Sequence, residues 1–199
     1  MLKIISTVLA VSLGSLAMVQ AQQPQIEPGA IKINNVAVNI LDTPTFSVRG
    51  TSKRVPRSKQ WIEIETEFET ALPYIPELTF KYFVAIDGEN TQAVLTGSVT
   101  HISITEGSEK VKYSSMYIAP QTIAAVLQGR SSFRPDLVDQ ATVQIFYQGQ
   151  QLAEASANPR PEGPWWTSLR QMDGLLLKKN ETPFAPLWWD RYEVIKTSD

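Results

Sequence analysis

The sequence predicts an all-β sandwich, and three observations carry that prediction. Apolar and polar residues alternate with a repeat of two along most of the chain, the pattern of half-buried strands. Turn signals such as Asp87-Gly88 and Gly149 divide the alternating runs. Helical spacing is confined to one short stretch after Pro120.

Taken in order, residues 1–21 read as a secretory signal peptide. Lys3 supplies a positive charge, an apolar run follows from Ile4 to Val19, and Val19-Gln20-Ala21 offers the small residues of a cleavage site. The run is too short to serve as a comfortable membrane span. Cleavage leaves 178 of the 199 residues, a single-domain length, starting at Gln22. A polar lead, residues 22–30, precedes the first strand. Ile31, Ile33, Val36, Val38 and Ile40 alternate with a slip at Asn34-Asn35, as a bulge produces. The basic loop Lys53, Arg54, Arg57, Lys59 leads to the clearest strand. There Ile62, Ile64, Thr66 and Phe68 share one face, and Trp61, Glu63, Glu65, Glu67 and Glu69 share the other.

Leu78 to Ile86 is the next strand. Ala93 to Thr105 and Lys110 to Ile118 form a hairpin through Glu106-Gly107-Ser108. Pro120, the apolar positions Ile123, Val126 and Leu127, and the stop at Gly129 mark a two-turn helix. Ala141 to Tyr147 and Leu152 to Ala157 complete seven strands. Seven strands with one short helix in the fifth-to-sixth connection describe an immunoglobulin-like sandwich over residues 31–158. Asp139-x-Ala141-x-Val143-x-Ile145 keeps the spacing of the sixth immunoglobulin strand, with aliphatics in place of its tyrosine and cysteine.

Residues 159–199 form a Pro/Trp-rich C-terminal extension holding four of the five tryptophans, Trp165, Trp166, Trp188 and Trp189. Pro183 and Pro186 interrupt any long helix, and Leu175 to Lys178 fits either a short strand or a short helix.

Composition excludes several chemistries. The net charge of −2, or −3 without Lys3, provides no basic face for nucleic acid or an anionic membrane. The absence of cysteine excludes a thiol nucleophile, a disulfide and a lipoprotein anchor. It suits a large exported bacterial domain better than a small disulfide-stapled animal module. One histidine and no thiols leave no zinc set, and no phosphate loop or nucleophile elbow occurs. His101 shares strand parity with Ser103 and Thr105, which predicts that it faces water rather than acting as a base. No catalytic, cofactor or metal residue is therefore expected.

Two surface features remain. Glu63, Glu65, Glu67 and Glu69 read as a solvated, edge-protecting face, with Lys53, Arg54, Arg57 and Lys59 as the nearest source of compensating charge. Trp165, Trp166, Trp188, Trp189, Arg191 and Tyr192 are the candidate interface residues, because tryptophan, tyrosine and arginine dominate contact energies. The tryptophans either cover the sandwich or stay exposed for a protein or a sugar.

The stretch Asp173-Gly174-Leu175, Thr182 to Tyr192, Arg54 to Phe68 and Tyr82 to Gly88 resembles small exported proteins of verrucomicrobia. These are similar to the immunoglobulin-like envelope protein encoded in a type IV pilus gene cluster of Akkermansia. The resemblance implies a non-catalytic periplasmic or outer-membrane-associated protein working through protein contact, in pilus assembly or function or as a structural component. It implies a protein partner in the envelope or a homo-oligomer, and only indirect membrane association. A carbohydrate-binding module for host or mucin glycans is the alternative. No family active site is carried over, and fold alone assigns no activity.

Overall fold

The computed structural model describes residues 26–27, 29–46, 50, 57–88, 91–106, 110–126, 137–158 and 163–197. The signal peptide, Lys53 and Arg54, Gly107-Ser108, Gly129 and linker residues 159–162 lie outside the described residues. The strands are β1 (Ile31–Asp42), β2 (Gln60–Thr70), β3 (Tyr74–Gly88), β4 (Thr91–Thr105), β5 (Val111–Ile118), β6 (Val138–Tyr147) and β7 (Gln150–Ser156). Helix α1 (Pro120–Val126) separates β5 from β6, and the extension adds β8 (Arg170–Asp173) and β9 (Leu176–Lys178).

One sheet has the order β1-β2-β5-β9, the other β7-β6-β3-β4-β8. Without the two extension strands, these are the A-B-E and G-F-C-C′ sheets of an immunoglobulin-type sandwich. The ladders are antiparallel except β4–β8, which is parallel. The bulge expected in β1 falls between Ile33 and Asn35.

The inward rows of both sheets are fully enclosed: Ile62, Ile64 and Phe68 on β2, Leu78, Phe80, Tyr82 and Val84 on β3, and Ala141, Val143 and Ile145 on β6. Phe68 and Phe80 meet across the sheets with ring centroids 5.0 Å apart. Each such aromatic or branched side chain contributes about 1.5–3 kcal/mol through burial. At the centre of β3, Tyr82 takes the place of the antibody-type tryptophan and donates to Ser114 Oγ at 2.8 Å.

The extension is built into this sandwich. Leu175 to Lys178, compatible with strand or helix from sequence, contributes strand β9 beside β5. Leu176 of β9 reaches across to β4, where a Cβ on Gly97 would lie 2.8 Å from Leu176 Cβ and 2.9 Å from Met116 Cε. The last described segment bridges the two sheets. Glu193 N–H donates to the Tyr113 carbonyl of β5, while Ile102 N–H donates to Val194 O and Lys196 N–H to Thr100 O on β4.

Three expectations are corrected. β4 and β5 do not pair as a hairpin; they belong to different sheets, β4 beside β3 and β5 beside β2. His101 does not face water; it is 1% exposed. β3 and β4 both change sidedness where Pro76 lies across from Ser103, whose φ is 56°. A left-handed residue rotates the pleat, so His101 and Ile104, three positions apart, both point inward. The glutamate row is also not an edge. β2 lies between β1 and β5, and Glu63 is 3% exposed because the extension covers it.

Candidate functional site

The outward row of β2 sits on the outer face of the four-stranded sheet. Strand register places Asn39 and Tyr117 on either side of Glu63, and Ala37 and Ser115 on either side of Glu65. After β9, a single 3-10 turn at Lys179–Glu181 reverses the chain and sends it over this row. Thr182 Oγ1 closes the turn by donating to Lys179 O at 2.7 Å. Phe184 then packs edge-on against Trp61 at 5.7 Å and flat on Tyr117 at 5.2 Å.

Beneath that aromatic cover lies a charged clamp. Glu63 accepts from Tyr117 Oη at 2.6 Å and from Asn39 Nδ2 at 3.0 Å. Glu65 accepts from Arg191 Nη2 at 2.9 Å and Nε at 3.3 Å, a two-pronged pair. The Tyr192 hydroxyl lies between the two carboxylates, 2.6 Å from Glu65 Oε2 and 3.1 Å from Glu63 Oε1. Arg191 lies over the Tyr113 ring, 3.6 Å from its centroid.

Burial, reinforced by the Glu63 charge, pushes the Tyr117 and Tyr192 phenols above their ordinary range, so both remain donors. The bond to Glu65 raises Arg191. Lys179 donates to Ala185 O at 3.1 Å and faces the Tyr192 ring. Burial lowers its pKa, and Glu63 opposes that shift.

This clamp holds up an exposed aromatic knuckle. Trp188 adopts φ 50°, uncommon for a bulky residue, and is 47% exposed; Trp189 is 79% exposed. Phe184 stacks beneath Trp188 at 6.5 Å.

The candidate interface residues therefore divide. Trp188, Trp189, Arg191 and Tyr192 share this face, whereas Trp165 and Trp166 lie on the outer face of the five-stranded sheet. There Trp166 stacks on Phe83 and is buried. Among the candidate charges, Glu67 and Glu69 are half-buried, with Glu69 accepting from Asn34 Nδ2 at 2.8 Å. Arg57 and Lys59 are exposed, and Lys53 and Arg54 lie outside the described residues. The described partner of Glu65 is Arg191 of the extension rather than a residue of the basic loop. Sequence reasoning missed Asn39, Tyr113, Tyr117, Lys179 and Phe184. The alternation Tyr113, Ser115, Tyr117 was the available signal that β5 offers polar aromatics beside the glutamates.

A second polar group lies inside the sandwich. His101 Nε2 is 2.8 Å from Ser114 Oγ and Nδ1 is 3.0 Å from Glu193 O. Because the backbone carbonyl only accepts, Nδ1 carries the proton and Nε2 accepts from Ser114. Burial lowers the His101 pKa to about 4, so the ring is neutral at pH 7. This pair superficially resembles a nucleophile and base, but Ser114 is fully buried and no substrate carbonyl reaches it. Among the described residues no group of three or more metal-ligating side chains occurs, and no helix is long and apolar enough to cross a membrane.

Fold and site define an all-β immunoglobulin-type sandwich with an aromatic extension clamped to its outer face. A family model matches residues 21–199, and the chain belongs to that family. A crystal structure of a protein from Akkermansia muciniphila matches with a TM-score of 0.74 and 24% identity. That match covers 85% of this chain and 94% of the other, and shows the same fold. A search of the curated proteins finds no match.

Proposed function

We propose that the protein is a non-catalytic, exported component of the cell envelope that works by protein contact, in type IV pilus assembly or function. One observation carries this reading: Trp189, 79% exposed, stands on a rigid base of ion-paired and stacked side chains. A large aromatic held in place and left uncovered loses little conformational entropy on binding, which is what an interface anchor requires. The unusual φ of Trp188 adds support, since backbone strain concentrates where structure serves binding. The basic start, apolar run and Val19-Gln20-Ala21 of the leader support export. The sealed Ser114–His101 pair supports a non-enzymatic role, and the resemblance of residues 173–192 to pilus-cluster proteins supplies the pilus context.

The test is photocrosslinking in intact cells from a benzoylphenylalanine at position 189, with the same probe at exposed Lys81 as control. The expected result is one discrete adduct, with a second copy or an envelope protein, specific to position 189. A full-length, exported protein giving no adduct at 189, or the same adducts from both positions, overturns the reading.

A further inference from the structure

The opposite sheet carries a second built feature, independent of the knuckle. Trp166 lies flat on Phe83 with centroids 4.7 Å apart, and Trp165 stands edge-on to Trp166 at 5.6 Å. Trp165 Nε1 donates to Thr142 Oγ1 at 2.9 Å, and Thr142 in turn bonds Ser156 Oγ at 2.7 Å. The Trp165 ring is thus fixed from two directions while remaining half-buried. Beside it opens a cleft of about 410 Å³, lined by Gln140, Gln144, Glu154, Ser156 and both tryptophans.

The strand register arranges these polar groups. Gln140 and Gln144 occupy the outward row of β6, and pairing with β7 sets Glu154 beside Gln144. The Glu154 carboxylate is oriented by Gln144 Nε2 at 2.7 Å and Gln151 Nε2 at 3.1 Å. Gln140, 3% exposed as a whole residue, lines the same cleft as Trp165. A carboxamide on the lining of an open cleft has both a donor and an acceptor to offer a ligand.

We propose that this cleft binds a neutral pyranose sugar ring. A pyranose has an apolar C–H face that lies against Trp165 and a rim of hydroxyls that both donate and accept. Gln140 and Gln144 match that double character, and the Glu154 carboxylate accepts from paired hydroxyls. Glu154 is the one charged residue among those lining the cleft, so an anionic sugar is disfavoured. The volume lies within the range of about 300–1,000 Å³ typical of small-ligand sites. This proposal stands apart from the contact role of Trp188 and Trp189, which occupy the other sheet.

The experiment is saturation-transfer NMR on the whole protein with methyl β-galactopyranoside, N-acetylglucosamine and glucuronate as probes. Transfer to the ring C–H protons of at least one neutral sugar is expected, with glucuronate weaker. Trp165→Ala and Gln140→Leu are each expected to weaken that binding about tenfold or more, while Trp189→Ala leaves it unchanged. Gln144→Leu, at a partly exposed strand position, keeps the test open should the first two disturb folding. The absence of transfer to either neutral sugar, undiminished binding by folded Gln144→Leu, or tighter binding of glucuronate overturns the proposal.

Discussion

The hydroxyl of Tyr192 sits 2.6 Å from Glu65 Oε2, joining positions 127 residues apart. It also lies 3.1 Å from Glu63, so one phenol bridges two carboxylates that stand two residues apart on the same face of β2. Tyr192→Phe removes that donor and keeps the ring. It is expected to lower stability by about 1–3 kcal/mol, read as a shift in the urea midpoint. In a double-mutant cycle, Glu65→Gln should recover part of that loss, because a neutral amide requires no charged partner. Full additivity of the two substitutions would show that the clamp is not coupled.

Gly97 is the point where the extension reaches the sandwich core. Its missing side chain leaves room for Leu176 and Met116, both of which would lie within 3.0 Å of an added Cβ. Gly97→Ala is expected to destabilise by about 1–3 kcal/mol through overpacking, measured by thermal or urea denaturation. Met116→Ala in the same chain should relieve part of that cost, because it removes the Cε that the added Cβ would meet at 2.9 Å. An unaffected single variant would mean that β9 does not pack there in solution.

The pH dependence of stability follows from His101. Its folded pKa of about 4 lies below the ordinary value of 6.5, so between those values the unfolded chain binds the extra proton. Stability therefore falls as pH drops from 6.5 towards 4, by about 3 kcal/mol at most. Glu193, raised by burial, acts in the opposite sense: the folded state holds its proton longer, so its contribution is lost as pH rises through the carboxylate range. Urea midpoints recorded from pH 7 to pH 4 should show the fall, and His101→Gln should flatten it. An equally steep fall in that variant would assign the effect to other groups.

The tryptophans should separate cleanly by burial. Trp166, 7% exposed and stacked on Phe83, is expected to cost about 3–5 kcal/mol when replaced by Ala. Trp189→Ala, at an exposed position, should stay within about 0.5 kcal/mol. Chemical denaturation of the two variants side by side checks both, and a large loss from Trp189→Ala would show that its ring packs somewhere in solution.

Removal of residues 159–199 should leave no folded sandwich. It strips β8 and β9 from the two sheets, uncovers Tyr117 and Glu63, and deletes the segment that bridges β4 to β5. Circular dichroism and light scattering are expected to report an unfolded or aggregated chain. A monomeric, cooperatively melting truncation would make the extension an accessory to an autonomous domain.

Strand identity, the sidedness of β2, the β1 bulge and helix α1 were legible in the sequence, because a repeat of two or 3.6 records which side of a local element each residue occupies. The aromatic extension was legible as unusual for the same local reason: its composition differs from everything before it. What covers each outward face was not legible. Glu63 and Glu67 share a parity, yet one lies beneath Phe184 and Tyr192 and the other is half-exposed, a difference made by residues more than a hundred positions away. His101 was misread because a single left-handed residue at Ser103 shifts the parity of a strand, and no side-chain pattern announces that rotation. The division of the tryptophans into a buried pair member, a cleft wall and an exposed knuckle was likewise decided by where the extension threads. Periodicity reports local geometry; burial depends on long-range packing, and only the tertiary structure decides which surfaces meet.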